Sequence, residues 1–422
     1  MLNLMLSKAR PGMTLAMPVF HPGAAGHVLL KPGFALDARS ICRLGELKVP
    51  DVWIDCPALA EVMKYVSHEV VGAQADLVRT IGPGFDAAQS DARVDLEFSA
   101  YAGAVRGLIA RLGEHPSAQT MVNDLVHTDS ALTSHSTAVS YLCILMGLKL
   151  DSYLMLERSH VGPTRARSVE GLGVGALLHD VGLLRLDPET VRKAHSTGNF
   201  TDPAWRAHVK VGYEMVRGEV EPTAASAVLH HHQRFNGTGF PSLRRADSQR
   251  ARPQCGHDIH IFARVIAVAD RFDDLRNPIA ADGTVRRSAL PVVRVIKQML
   301  AETRAGHFDP MVIKSLVQCA PAFGPGKHVT LSDGREAVVT GQNPLDPCRP
   351  KVRPIIAGRE HMVPEDHFGP VIDLQKSLVS IAKVDGEDVH DDLFFPSVPS
   401  EFDLRVMPPN TQPVACAVLD AA

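Results

Sequence analysis

The chain has little excess charge of either sign, with a formal net charge of -3 over 422 residues. Neither a nucleic-acid polymer nor an anionic membrane is therefore expected as its main partner. It has no C-x-x-C pair. Seven cysteines are scattered between Cys42 and Cys416, and the count is odd. That argues against a disulfide framework or a thiolate zinc site, and for a reducing compartment. No stretch approaches the roughly 20 apolar residues of a membrane span. The opening MLNLMLSKARPGM lacks the apolar core of a signal peptide, so a cytoplasmic protein without a membrane span is expected. The length allows about two to three domains. What is plentiful is histidine: 20 residues, many of them between His127 and His260.

The expected architecture is mainly α: a helical bundle flanked by a small mixed α/β unit and a small β-rich unit. Residues 1–58 carry turns at Pro11–Gly12 and Pro32–Gly33, with strands expected at Thr14–Phe20, His27–Leu30 and Val49–Asp55. Asp37 is placed to cap a short helix through Ser40–Leu47. Residues 59–116 read as a connecting helical segment, broken at Gly82–Pro83–Gly84 and resumed in a helix over Glu97–Leu112. Residues 117–320 are helical by pattern. Residues 321–390 shift to strand signals, with a hairpin from Lys327–Leu331 to Glu336–Thr340 around Ser332–Asp333–Gly334. Further strands are expected at Lys351–Ile356 and Leu378–Val384, and residues 391–422 read as an irregular tail.

Two stretches inside the helical part carry chemistry. Gly173–Leu184, GVGALLHDVGLL, closes an apolar run with His179–Asp180. Leu229–Pro241, LHHHQRFNGTGFP, answers it. Elsewhere His135 shares a helical stripe with Ala138, Val139, Leu142 and Met146. His208 lies with Trp205, Val211 and Met215, His231 follows Ala224 and Ala227, and Asp270 falls beside Val265, Ile266 and Ala269. Residues three and four apart share a helix face, so these ionisable groups sit on faces meant for a core. Burying them is costly unless they are paired or hold a metal. Any one could be a satisfied core histidine or a capping aspartate. All of them together point to a metal site inside a helical bundle, and imidazole with carboxylate suits manganese, iron or zinc.

In these residues the sequence resembles the HD-GYP family, a branch of the HD superfamily of metal-dependent phosphohydrolases. The resemblance covers roughly 117–320 and includes Ala267–Val268–Ala269–Asp270 and Gly306–His307–Phe308–Asp309–Pro310. It implies hydrolysis of the bacterial second messenger cyclic di-GMP by a metal-activated hydroxide. It also implies two divalent ions, iron or manganese, held by His135, His179, Asp180, His208, His231, His232 and Asp270. Asp180 would bridge the ions and, with His179, form the catalytic pair. Asp273 could orient a ligand or cap its own helix. The substrate would meet Arg234, Gly237, Gly239 and Phe240 of the second stretch. Beyond the cyclic dinucleotide, signalling proteins are expected as partners.

The departures from the family pattern concern cations and hydroxyls. The family's phosphate-binding lysine is Leu183 here, its tyrosine is Phe240, and the glutamate after the double histidine is Gln233. The position of a third-metal glutamate is Ala131, and no basic segment is evident in Asn277–Ala281. Arg244 and Arg245, with Arg250 and Arg252, follow the GFP turn and could replace the lost cation, since a guanidinium fork donates two parallel hydrogen bonds to phosphate. The rival reading is a weak or inactive module that senses a nucleotide or acts as a scaffold.

Overall fold

The helix Ala131–Lys149 is apolar on nearly every side, and such a helix must be surrounded. In the computed structural model it is the centre of the bundle. The structure describes residues 1–407 apart from 22–23, 25, 92–93, 119–129, 245–250, 253, 278–289 and 357–366. This central helix is long and apolar enough to cross a membrane by length and composition, which the sequence reading did not single out; 72% of its window is buried within the fold. Ser130 caps its start, accepting a hydrogen bond from Thr133 N–H. The short helix Glu170–Leu177 packs on it, and Ser140 Oγ donates to the Gly173 carbonyl across the contact (2.8 Å). Helices Pro222–His230, Ile261–Arg276 and Pro310–Cys319 complete the surround, with Phe262, Val265, Ile266, Val312 and Leu316 fully buried. The architecture is mainly α, with the strands confined mostly to the flanks.

The sequence placed a break at Gly82–Pro83–Gly84, and the structure does not. One helix runs from His68 to Ser90 with Pro83 inside it. Proline in a helix interior costs about 3 kcal/mol. Here the helix buries Leu77, Val78, Ile81 and Phe85, with Phe85 edge-on to Tyr101 of the neighbouring helix Phe98–Glu114. At roughly 1.5–3 kcal/mol for each large apolar side chain buried, that packing outweighs the local penalty.

At the N-terminus, Leu2–Met5 pairs antiparallel with Asp51–Ile54, and Val19–Phe20 with Val28–Leu30. The strand expected over Thr14–Phe20 is shorter than its pattern because Pro18 has no N–H for the ladder. Asp37 and Ser40 form a reciprocal capping box at the helix Ala38–Glu46. In the C-terminal part a six-stranded sheet runs in the order Ile372–Asp373, Lys351–Pro354, Glu336–Gly341, His328–Leu331, Ile381–Val384, Glu387–Asp388.

The two flanking units read separately from sequence share one core. Met17, Trp53, Leu59 and Val62 pack with Val338 and Phe368. Asn3 N–H donates to the Gly326 carbonyl, and the Arg353 guanidinium to the Ala58 carbonyl. Past residue 390 there is little regular structure, yet the chain is anchored: Gln318 Nε2 donates to the Phe402 carbonyl and Lys314 Nζ to that of Val406. Cys42, Cys56, Cys143, Cys319 and Cys348 are free thiols, whereas Cys255 is disulfide-bonded.

Candidate metal centre

Separate helix ends and faces converge on Asp180. His135 sits in the first turns of Ala131–Lys149, and Asp270 lies in Ile261–Arg276. His179 and Asp180 occupy the tight turn between Glu170–Leu177 and the 3-10 turn Val181–Arg185. His208 opens the helix His208–Val216, and His231 and His232 follow Pro222–His230. Gly182 makes this assembly possible. A Cβ there would lie 2.0 Å from the His208 carbonyl oxygen, so only glycine lets the His179–Asp180 turn approach the His208 helix.

The two carboxylate oxygens of Asp180 face different imidazoles. Oδ1 lies 3.4 Å from His208 Nε2 and 3.6 Å from His231 Nε2. Oδ2 lies 3.6 Å from His179 Nε2 and 4.0 Å from His135 Nε2. His232 Nε2 stands 3.2 Å from His208 Nε2. Asp270 Oδ1 joins the other side, 3.2 Å from His135 Nε2 and 3.8 Å from His179 Nε2. Two overlapping groups of potential ligand atoms result, Asp180–His208–His231–His232 and His135–His179–Asp180, each spanning no more than 4.8 Å.

The backbone fixes which nitrogens point inward. His179, His208 and His231 each place Nδ1 within 2.7–2.8 Å of the carbonyl three residues earlier, on Ala176, Trp205 and Val228. A carbonyl only accepts, so each Nδ1 carries the proton, and each neutral ring presents its Nε2 lone pair to the centre. These three lone pairs then face the carboxylate oxygens of Asp180. Asp180 Oδ1 and His231 Nε2 are buried and have no hydrogen-bond partner. That arrangement is unfavourable by itself and fits a divalent cation at each group. Burial holds the imidazoles of His179, His208 and His232 below their ordinary pKa, His208 at about 4, so their lone pairs are free at neutral pH.

His135 differs. Burial opposes its charged form, but the Asp270 and Asp273 carboxylates hold its pKa well above the usual value. Asp273 Oδ2 is 2.7 Å from His135 Nδ1, and Asn277 Nδ2 donates to Asp273 Oδ1 (2.8 Å). The carboxylate thus orients the ring. Burial opposes ionisation of Asp180 and Asp270 too, yet the surrounding histidines keep both well below the usual carboxylate range.

The loop from Gln233 to Pro241 borders the centre. Gln233 Nε2 donates to the Pro241 carbonyl (2.6 Å), and Asn236 Oδ1 accepts from Thr238. Gly237 takes a φ of 82°, and a Cβ on Gly239 would lie 2.3 Å from the His232 carbonyl. Phe240 stacks on His232, with centroids 4.6 Å apart and planes 27° apart. Arg234 is exposed and shares no hydrogen bond or ion pair with the centre among the described residues. Arg244 lies in a two-residue strand paired with Ala251, and Arg245 falls outside the described residues. Leu183 is buried in the main core at 7% exposure. Sequence reasoning missed the aromatic wall. Trp205 packs on His208 at 4.6 Å and on His232 at 5.4 Å, and the Arg206 guanidinium lies 4.6 Å from the centre of the Phe240 ring. The helical stripe pointed to Trp205 as core; nothing local marked Arg206.

Residues 132–275 match the family model of the HD domain. The chain is 28% identical over 383 residues to the cyclic di-GMP phosphodiesterase PA4108 of Pseudomonas aeruginosa, covering 82% of each protein. It is 27% identical over 168 residues to the cyclic di-GMP phosphodiesterase response regulator RpfG of Xanthomonas campestris, covering 39% of each. It is 26% identical over 148 residues to the 3'3'-cGAMP-specific phosphodiesterase 2 of Vibrio cholerae, covering 33% of this chain and 24% of that protein. Among solved structures, the HDG"Y"P protein Bd1817 of Bdellovibrio bacteriovorus aligns over 75% of this chain and 98% of its own, at 16% identity and a TM-score of 0.40. HD domains bind divalent metals, and the histidine–aspartate cluster of this chain lies within the stretch, residues 132–275, that matches the HD domain.

Proposed function

We propose that this protein is a cytoplasmic phosphodiesterase that hydrolyses cyclic di-GMP, with residues 117–320 as its catalytic domain. The observation that carries the reading is the division of Asp180 between two imidazole groups, one at each carboxylate oxygen. Such a carboxylate suits a pair of divalent ions, iron or manganese. His208, His231 and His232 would hold one, and His135, His179 and Asp270 the other, with Asp180 shared. Ions bound there supply Lewis acidity toward a phosphoryl oxygen and lower the pKa of bound water toward neutrality.

The chain's residues do the rest. The carbonyls of Ala176, Trp205 and Val228 keep the rings in the tautomer that offers Nε2 inward. Asp273 fixes the His135 ring. Trp205 and Phe240 wall the centre with apolar surface, which strengthens electrostatic interactions inside it. Water attacks phosphorus, the bond to the ribose 3′ oxygen breaks, and the leaving oxygen takes up a proton. The flanking units 1–58 and 321–390, with the connecting segment 59–116 and the tail 391–422, serve packing or signalling partners. The names of the relatives support a cyclic dinucleotide substrate.

A second reading is a metal-loaded sensor that does not turn its nucleotide over, favoured by the buried Leu183 in place of a lysine. One experiment separates them. Purified full-length protein is reconstituted with iron or manganese and incubated with cyclic di-GMP, with 3'3'-cGAMP alongside. Metal-dependent conversion of cyclic di-GMP to a linear product is expected. Tight binding without product would establish the sensor.

A further inference from the structure

A phosphodiester is an anion, and a site lined by Asp180 and Asp270 repels it unless cations are present. Position 183 offers none, because Leu183 is buried in the core. The structure offers another cation at the rim. Arg206 ends the short helix Pro203–Arg206, next to Trp205 and two residues before His208. It is half-buried, and its Nε donates to the Phe200 carbonyl (3.1 Å), which fixes the guanidinium plane. Its Cζ lies 4.6 Å from the Phe240 centroid, and Phe240 stacks 4.6 Å from His232. Two short steps therefore link this cation to the cluster.

Several other arginines of the bundle are already engaged. Arg264 pairs with Asp309 and Glu157, Arg271 with Glu302, Arg106 with Glu170, and Arg185 donates to the Ala88 and Val94 carbonyls. Arg206 has no carboxylate partner, and its two terminal nitrogens have no hydrogen-bond partner among the described residues. A guanidinium held by an aromatic ring and one carbonyl, with its fork free, is pre-organised for two parallel hydrogen bonds to phosphate oxygens.

We propose that Arg206 is the phosphate-binding cation of this site, standing in for the lysine that position 183 lacks. The assignment rests on the phosphodiesterase reading for its substrate, but not for the anion it binds. It moves the expected phosphate contact from Arg244 and Arg245 to Arg206.

The test uses metal-loaded full-length protein and inorganic phosphate as the probe, with affinity measured by calorimetry and metal content by elemental analysis. Arg206→Gln should weaken phosphate binding at least about tenfold, or roughly 1.4 kcal/mol, at constant metal content, and raise KM for cyclic di-GMP. A merely structural role for Arg206 would not change how affinity depends on salt. Arg206→Lys should therefore keep the salt dependence of the wild type, and Arg206→Gln should flatten it. Replacing Arg244, Arg245, Arg250 and Arg252 together by Gln should leave phosphate affinity within about twofold of the wild type. Phosphate affinity unchanged in Arg206→Gln, or lost instead in the fourfold variant, overturns the assignment. If the wild type does not hydrolyse cyclic di-GMP but Arg206→Gln still loses phosphate, the phosphodiesterase reading fails and the assignment of Arg206 stands.

Discussion

One helix, Ile261–Arg276, takes part in two buried polar sites that obey opposite rules. Near its start Arg264 is 4% exposed, and every direction around it is answered. Its Nε donates to the Ile259 carbonyl, and its terminal nitrogens reach Asp309, Glu157 and the Tyr153 hydroxyl. Tyr153 in turn donates to Asp309 (2.8 Å), and His257 lies 2.8 Å from Glu157. Donors meet acceptors and positive charge meets negative. Two turns on, Asp270 belongs to a cluster in which Asp180 Oδ1 faces the lone pairs of His208 and His231, and buried Asp180 Oδ1 and His231 Nε2 go unsatisfied. The first site is complete as protein. The second is complete only with a cation that the protein does not itself supply. Buried charge alone therefore does not mark function; the sign of the unmet demand does.

The sharpest way to break this contrast is a pair of substitutions. Asp180→Ala should remove both ions and bring hydrolysis to background while the protein stays folded, because the lost carboxylate serves both groups. Arg264→Met should do the reverse. It leaves Asp309 and Glu157 buried and uncompensated, which costs about 3–5 kcal/mol, while folded molecules keep their metal. Elemental analysis and thermal unfolding of both variants check this. Full metal occupancy in Asp180→Ala would falsify the shared-carboxylate assignment.

Next in size is Leu183→Lys. A lysine there looks like a return to the family pattern, but the side chain it replaces is packed in the core. The expected result is a loss of roughly 2–4 kcal/mol, read as a lower Tm. A faster enzyme of unchanged stability would show that the position opens to the substrate and that Arg206 is not the only phosphate cation.

The two sites should respond alike to acid in the metal-free protein, since burial lowers the pKa of His208 in one and of His260 beside the other, each to about 4. Unfolded histidine titrates near 6.5. Between these values the unfolded chain binds protons that the native state refuses, so stability falls as pH drops from 6.5 toward 4, by up to roughly 2 kcal/mol per group at pH 5. Thermal melts at pH 7 and pH 5 measure it. Bound metal should protect the His208 part and leave the His260 part.

The smallest effect is expected from Asp273→Asn. The His135–Asp273 contact keeps its geometry but loses its charge, so metal affinity should fall by about tenfold with little change in Tm. Competition with a chelator reads it. An unchanged affinity would make Asp273 a helix-stabilising residue and no more.

Much of the cluster was legible in the chain because each member lies on a local pattern. His135, His208, His231 and Asp270 share helix faces with apolar residues at helical spacing, and His179–Asp180 closes an apolar run. Packing puts such faces inward wherever the helices meet, so their convergence follows from periodicity. The uninterrupted helix through Pro83 was not legible, because burial against Tyr101 and its neighbours outweighs the local signal. Neither was the core shared by Trp53 and Val338, since only the folded chain brings those ends together.

The sequence by itself determined which residues must be buried and which of those need a cation, because hydrophobic periodicity and the cost of burying charge act within a few residues. Only the tertiary structure decided how Asp180 divides its oxygens between two imidazole groups, which ring nitrogens face inward, and that Arg206 rather than position 183 carries a free cation to the rim. Those depend on distances between segments far apart in the chain, and hydrogen bonds and Coulomb forces are settled over a few ångströms that no local spacing fixes.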